Sequence, residues 1–340
     1  MSRAVWLALA LLLVLPPLHA GVTLFTSTAF LVEFLSDGRW RPLSAVTGPP
    51  AVHPLGPPAP GPAPAADLYL GRSFVQPPGL VLVHGIAPRG KDDPRLREAA
   101  ALLARAGWAV AVPTVDGLTR LRLRPEDAGV VVTAIRALDA AGYRPVAVLG
   151  VSLGSSPALL AAGDPEVSSF LSAVLALGGY ASALELLRYT LTGAYAFEGT
   201  RGRGPIDESA IAEFARANAE LVDGAGRRLV DNRDPEAVDR LAAELPPPTR
   251  QLLDALSPEL ALGRLSAPLF LIHGRDDPAV PFTESLRLDR AARAAERRPR
   301  TTIVGAMSHV DPDQRASLAD LARLWATFYA FRLTSARASH

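Results

Sequence analysis

The chain has 340 residues, with 35 Lys+Arg against 34 Asp+Glu and a formal net charge of +1. That balance leaves no electrostatic footprint for nucleic acid, while 49% hydrophobic residues supply one large core with appendages. Cysteine is absent, which excludes disulfide frameworks, thiolate nucleophiles and Cys-based zinc sites.

From Ala4 to Val32 the run contains no Asp, Glu, Lys or Arg, and Arg3 precedes it. Such a stretch points to a membrane. Residues 1–35 are therefore expected to be an N-terminal hydrophobic anchor or signal segment. A single uncleaved transmembrane helix, kinked at Pro16-Pro17, is the preferred form. Export after signal cleavage near Ala20 is the alternative; a hairpin of two short segments and a buried apolar arm complete the options. Residues 36–64 are expected to be a linker. Eight of the sixteen residues from Pro49 to Pro64 are proline, which removes backbone donors and predicts a stiff extended connector. The globular part is expected from residue 65.

Strands and helices then alternate as they do in a parallel sheet covered on both faces. A strand over 80–83 ends in His84-Gly85. Asp93 caps a helix with Pro94 at its first position, and Gly107 closes it. A strand over 109–112 follows, then a helix opened by Pro125-Glu126-Asp127, with Val131, Ile135 and Leu138 on one face. The strand over 146–149 reaches Gly150-Val151-Ser152-Leu153-Gly154 and passes straight into a small-residue helix over 155–162. A strand over 172–177 completes the first part of the core, 65–179.

The rhythm stops at Tyr180. Residues 180–265 show helical patterns without a strand and are too many for a connecting loop, so they are expected to form a helical cap insertion. It follows a strand's carboxyl end, the edge where open α/β sheets bind ligands. The core resumes over 266–334. A strand over 268–272 leads to His273-Gly274-Arg275-Asp276-Asp277-Pro278-Ala279-Val280-Pro281. A helix over 283–298, a strand over 301–304, a loop carrying Ser308-His309 and a last helix over 313–332 follow, leaving 335–340 as a tail. The expected fold class is α/β: a mostly parallel sheet flanked by helices, with a helical cap and an N-terminal membrane segment.

Ser152 is the candidate nucleophile. On a tight strand-to-helix turn its hydroxyl is pushed out of the sheet, above amides that can donate to an oxyanion. A serine hydroxyl needs a base, and the base needs an orienting group. Of the six histidines, His19, His53 and His340 lie in tails or linkers, and His84 and His273 sit in His-Gly turns at strand ends. His309 alone occupies a loop after the last strand. Asp276 and Asp277 both leave the carboxyl end of a nearby strand, in the chain order Ser, Asp, His.

Taken together, His84-Gly85, the Gly150 to Gly154 turn, the His273 to Pro281 run and Ser308-His309 resemble the α/β-hydrolase superfamily, in its dienelactone-hydrolase-like and acyl-hydrolase branch. The resemblance implies Ser152 as nucleophile, Asp277 as acid and His309 as base, with the backbone amides of Ile86 and Leu153 as oxyanion hole. Dienelactone hydrolases use a cysteine nucleophile, so a serine here argues against dienelactone as substrate. The expected function is a serine hydrolase cleaving a carboxylic ester or thioester through an acyl-enzyme. Its substrate is expected to be small or lipid-like, without metal or organic cofactor. The rivals are a non-catalytic membrane-tethered binding or scaffold protein with this fold, and a serine peptidase of the prolyl-oligopeptidase type whose β-propeller is missing.

Overall fold

The computed structural model describes residues 20–56, 66–73, 76–222, 224–305, 307–308, 311–312 and 317–337. In chain order they form a helix over 20–35 (α1), α2 (Pro42–Val46), β1 (Ala51–Leu55), β2 (Ala66–Leu70), β3 (Gly79–Val83), α3 (Pro94–Arg105) and β4 (Ala109–Pro113). Next come α4 (Asp116–Thr119), α5 (Asp127–Ala140), β5 (Val146–Val151), α6 (Ser155–Ala162), β6 (Leu171–Leu177) and α7 (Ala183–Thr192). The hairpin β7 (Ala194–Phe197) and β8 (Thr200–Arg203) precedes α8 (Glu208–Ala217), α9 (Gly224–Val230), α10 (Val238–Ala243) and α11 (Pro247–Ala255). The chain then runs through β9 (Leu269–Gly274), α12 (Thr283–Ala294), β10 (Arg300–Val304), the short β11 (Met307–Ser308) and β12 (Asp311–Pro312), and α13 (Leu318–Ser335).

Eight strands form one sheet in the order β1-β2-β4-β3-β5-β6-β9-β10. The pairs β1–β2 and β2–β4 are antiparallel, and the remaining pairs are parallel. The inner strands are apolar throughout because both faces are covered. Alternation along them sends successive side chains to opposite faces. Val81, Val83, Val148, Val174 and Leu271 face α5, α6 and α12, whose Val131, Ile135, Leu138, Leu159 and Leu288 complete that core. Leu80, Leu82, Leu149, Leu175 and Ile272 face the other way, toward α3, α13 and α1. The helix starts follow local chemistry: Asp93 Oδ1 accepts from the Arg95 and Leu96 amides at 3.0 and 3.4 Å, with Pro94 at the first position.

Two expectations are corrected. The segment over 49–64 is not connector throughout: Ala51–Leu55 is the edge strand of the main sheet, where Pro54 lacks a donor on a strand with only one neighbour. Within 180–265 the helices are joined by the β7–β8 hairpin, whose register Phe197↔Thr200 encloses Glu198-Gly199, both at positive φ. Pro246 to Pro248 opens α11, because a missing amide costs nothing in a first turn.

The N-terminal expectation divides. Residues 1–19 lie outside the described residues. Over 20–35, α1 buries Ala29, Phe30 and Leu31 in the core shared with α3 and α13. The Phe30 ring stacks on Phe328 with centres 4.4 Å apart, and Trp325 Nε1 donates to Thr28 Oγ1 at 3.0 Å. Buried Glu33 takes the Ser44 amide at 2.9 Å and the Ser44 hydroxyl. Among the described residues no helix is long and apolar enough to cross a membrane, and this part of the expected segment packs on the domain instead.

Candidate active site

Ser152 stands where β5 ends, in a 3-10 turn over Ser152–Gly154 that leads directly into α6. Its φ is 53°, a left-handed conformation that costs a side-chain-bearing residue about 1–2 kcal/mol. The turn is held there by packing that leaves no room for neighbouring side chains. A Cβ on Gly150 would lie 2.6 Å from Ser155 Cα, and one on Gly154 would overlap the His84 carbonyl. Gly85 meets the same turn from β3, where a Cβ would sit 3.0 Å from Ser152 Cβ. The glycines thus bring the loop after β3 against the serine.

That loop is braced by His84. Its Nδ1 donates to Gly85 O at 2.6 Å, and its Nε2 accepts from the Val115 amide at 3.0 Å. These partners assign the proton to Nδ1, and burial pushes the imidazole below its ordinary range, so the ring is neutral. Both nitrogens are committed, which makes His84 a strut. Beyond it, the Ile86 amide takes no backbone acceptor among the described residues, and Ile86, Ser152 and Leu153 line one cavity.

The two aspartates separate clearly. Asp276 is exposed, whereas Asp277 is 6% exposed. Asp277 Oδ1 accepts from the amides of Ala279 and Val280 at 2.8 and 2.9 Å, a turn that fixes its carboxylate at the end of β9. His273, fully buried, lies beneath. Its Nε2 is 2.9 Å from Val280 O and 3.3 Å from Asp277 Oδ2, so Nε2 carries a proton. Its Nδ1 pairs with Ser285 Oγ at 2.7 Å. His273 therefore acts as a second strut, placing the loop that carries Asp277. Pro278, Ala279 and Val280 of that loop line the same cavity as Ser152. Met307 lines it too, at the start of β11; His309 itself lies outside the described residues.

Two further residues were not singled out in the sequence. Tyr189, from α7, donates its hydroxyl to Pro278 O at 3.1 Å. Burial and the charge of Asp277 push the Tyr189 phenol up to about 12. Glu284, 1% exposed on α12, accepts from the Ala181 and Ser182 amides at 3.0 Å each, where the chain leaves the sheet for 180–265. Burial pushes Glu284 up to about 7, against the opposing pull of those two amides. Neither of these hydrogen bonds had a local signal: the Tyr189 and Glu284 partners named here lie at least 89 residues away in sequence, although Glu284 also pairs with Arg287 at 3.1 Å.

The cavity measures about 1110 Å³, above the roughly 300–1,000 Å³ of most small-molecule pockets. Its walls are overwhelmingly aliphatic and aromatic. It runs from Ser152 under α7, α8 and α11, and also along the sheet face between α1, α3 and α13. Among the described residues no cluster of His, Asp and Glu could hold a metal ion.

No family model matches the chain, and no curated protein matches it in sequence. Solved structures do match. A Pyrococcus horikoshii acylaminoacyl peptidase aligns over 86% of this chain and 43% of its own, with a TM-score of 0.55 and 16% identity. A Mycobacterium tuberculosis puromycin-hydrolyzing peptidase aligns over 85% and 40%, with a TM-score of 0.54 and 19% identity. A Legionella pneumophila protein assigned as a hydrolase aligns over 81% and 84%, with a TM-score of 0.56 and 13% identity.

The chain has the α/β-hydrolase fold. It spans less than half the length of the two peptidases and most of the length of the Legionella protein. In an α/β-hydrolase the strained serine turn, the loop after β3 and the ends of the later strands converge on one edge of the sheet. Here Ser152 follows β5, Ile86 follows β3 and Asp277 follows β9, at the carboxyl ends of parallel strands of the sheet.

Proposed function

We propose that the protein is a serine hydrolase that cleaves a carboxylic ester or thioester through an acyl-enzyme. The observation that carries this is the left-handed Ser152, packed between glycines and opening onto the apolar cavity. Ser152 Oγ attacks the carbonyl carbon and gives its proton to His309. The Ile86 and Leu153 amides stabilise the oxyanion of the tetrahedral adduct. Collapse breaks the bond to the leaving oxygen or sulfur, which takes the proton from His309. Water then attacks the acyl-enzyme by the same route in reverse, releasing the acid and restoring Ser152. Asp277 holds the imidazole in the tautomer that accepts from serine.

The test is covalent labelling with a fluorophosphonate probe, read by intact mass beside Ser152→Ala. One phosphonyl adduct in the wild type and none in the variant is expected. A folded wild-type protein that takes no label would remove the proposal and leave a non-catalytic binding protein. Because the base must be unprotonated, activity is expected to rise with pH through about 6 to 7. A flat rate there would count against His309.

A peptidase would use the same groups, and two of the three structural neighbours named above are peptidases. The ester is preferred because an apolar wall offers the polar main chain of a peptide few partners. The proposal extends to location. The uncharged run from Ala4 to Val32 and the exposed Val22, Leu24, Phe25 and Val32 of α1 support attachment to a membrane through the N-terminus. Release of the full chain into the soluble fraction on cell lysis would refute it.

A further inference from the structure

We infer that the substrate carries a long, unbranched acyl chain, and that α1 is the outer wall of the channel that receives it; this rests on the hydrolase proposal above. The floor of that channel is the sheet itself. Leu82, Leu149 and Leu175, on adjacent strands β3, β5 and β6, project from the same face and line the cavity close to the serine turn. One side wall is α3, whose Leu96, Ala99 and Leu103 line it at intervals of three and four residues. The other is α13, through Leu324 and Phe328. Phe30, Leu31 and Phe34 of α1 close the space over the sheet.

The chemistry of the wall selects an alkyl chain. Every residue named in this channel is a hydrocarbon side chain, so a ligand group with hydrogen-bonding needs would lose its water without replacement. The charged side chains at the cavity, Asp93, Arg95 and Asp207, stand at helix starts: Asp93 and Asp207 cap α3 and α8, and Arg95 is exposed. They are the only Asp, Glu, Lys or Arg side chains at the cavity among the described residues. A channel of this kind gains affinity with each methylene it dries. That gain reaches about fourfold per methylene where burial is complete. The wall is also fixed in place. The Phe30–Phe328 stack, the Trp325–Thr28 hydrogen bond and the Glu33–Ser44 pair hold α1 at three points within about a turn and a half.

The experiment uses the full chain in detergent and a series of p-nitrophenyl esters from acetyl to palmitoyl. Hydrolysis takes one water and yields the carboxylate and nitrophenol. The value of kcat/KM is expected to climb two- to fourfold per methylene to at least the octanoyl ester. Ala99→Phe, on the half-exposed face of α3, fills the channel and is expected to lower the decanoyl-to-butyryl ratio of kcat/KM at least tenfold. Ala210→Trp, on the α8 side of the cavity, is expected to move that ratio less than threefold. An optimum at the acetyl or propionyl ester overturns the inference while Ser152 labelling keeps the hydrolase proposal standing. A ratio moved by Ala210→Trp and untouched by Ala99→Phe puts the chain under the cap and overturns the role of α1. Absence of labelling removes both proposals together. Should Ala99→Phe not fold, the wild-type profile and Phe34→Ala, expected to raise the palmitoyl-to-octanoyl ratio, decide the matter.

Discussion

The serine turn and the segment over 180–265 sit on opposite sides of one cavity and are built by opposite rules. At the turn, position is set by backbone against backbone. Gly150, Gly154 and Gly85 allow three chain segments to approach within contact distance, and a strained φ is held by its surroundings. The capping segment has its own small core of Leu191, Ile211, Leu229, Val238 and Leu241; it packs Tyr180, Ala183, Leu186 and Leu256 against Val280 and is held further by side-chain ties. Glu284 grips its first residues, Tyr189 reaches the acid loop, and the hydroxyls of Ser156 and Tyr180 both donate to Leu256 O. The contrast separates two jobs. Bond-making groups need sub-ångström placement and sit where nothing can move, whereas a wall around an apolar chain needs only volume and dryness.

Breaking the rigid side should give the largest effects. Ser152→Ala is expected to lower kcat for an ester by roughly 10³-fold or more, with no loss of fold. Ser152→Gly should do the same while raising stability by about 1 kcal/mol, because glycine relieves the left-handed conformation. Urea unfolding beside a steady-state assay reads both; a Gly variant less stable than wild type would mean the turn is not strained. Gly154→Ala should cost at least about 3 kcal/mol together with activity, since its methyl would displace the His84 carbonyl. Next in size is Asp277→Asn. Its Oδ1 amide bonds can persist, so stability should change little while kcat falls by roughly 10² to 10⁴. A loss of stability without a loss of rate would make Asp277 a loop brace only.

These same positions show what was legible in the sequence. The strand–turn–helix around Ser152, the Asp93 cap, the alternating rhythm and the small-residue α6 announce themselves locally, because each is a matter of neighbours within a few residues. Asp277 was separable from Asp276 only by resemblance; in the structure the difference is burial against His273. What stayed hidden depends on distant partners. The strand Ala51–Leu55 exists because Ala66–Leu70 pairs with it, not because its own residues favour a strand. As far as Val32, the helix over 20–35 reads as an uncharged run whether it meets lipid or Phe328. Its buried face became evident only when α13, some 300 residues later, was placed beside it. The ties that hold the capping segment were illegible for the same reason.

Breaking one tie on the capping side should matter less. Tyr189→Phe removes the hydrogen bond to Pro278 O and leaves the ring in place. A loss of about 1 kcal/mol in stability is expected, with a few-fold drop in kcat, because the acid loop loses its contact with α7. A drop in kcat as large as that of Asp277→Asn would mean that the capping segment shares in the chemistry itself.

The smallest effect on rate, and the sharpest test of the tie, is Glu284→Gln. A glutamine oxygen can still accept from Ala181 and Ser182, so turnover at neutral pH should be unchanged. The pH dependence of stability should not be. With the folded-state value raised to about 7 against an ordinary 4.5, the folded protein keeps a proton that the unfolded chain gives up. Stability from this group is therefore complete below about 4.5, falls as pH rises toward about 7, and is flat beyond. The span corresponds to roughly 3 kcal/mol by the free energy per pH unit. Unfolding at pH 5 and pH 8 reads it: the wild type should lose stability across that interval relative to Glu284→Gln. The activity set by His309 should rise over the same interval, so rate and stability should move in opposite directions in the wild type. Parallel pH–stability curves for the two proteins would show that Glu284 is ionised throughout and that the capping segment is held by a charge instead of a shared proton.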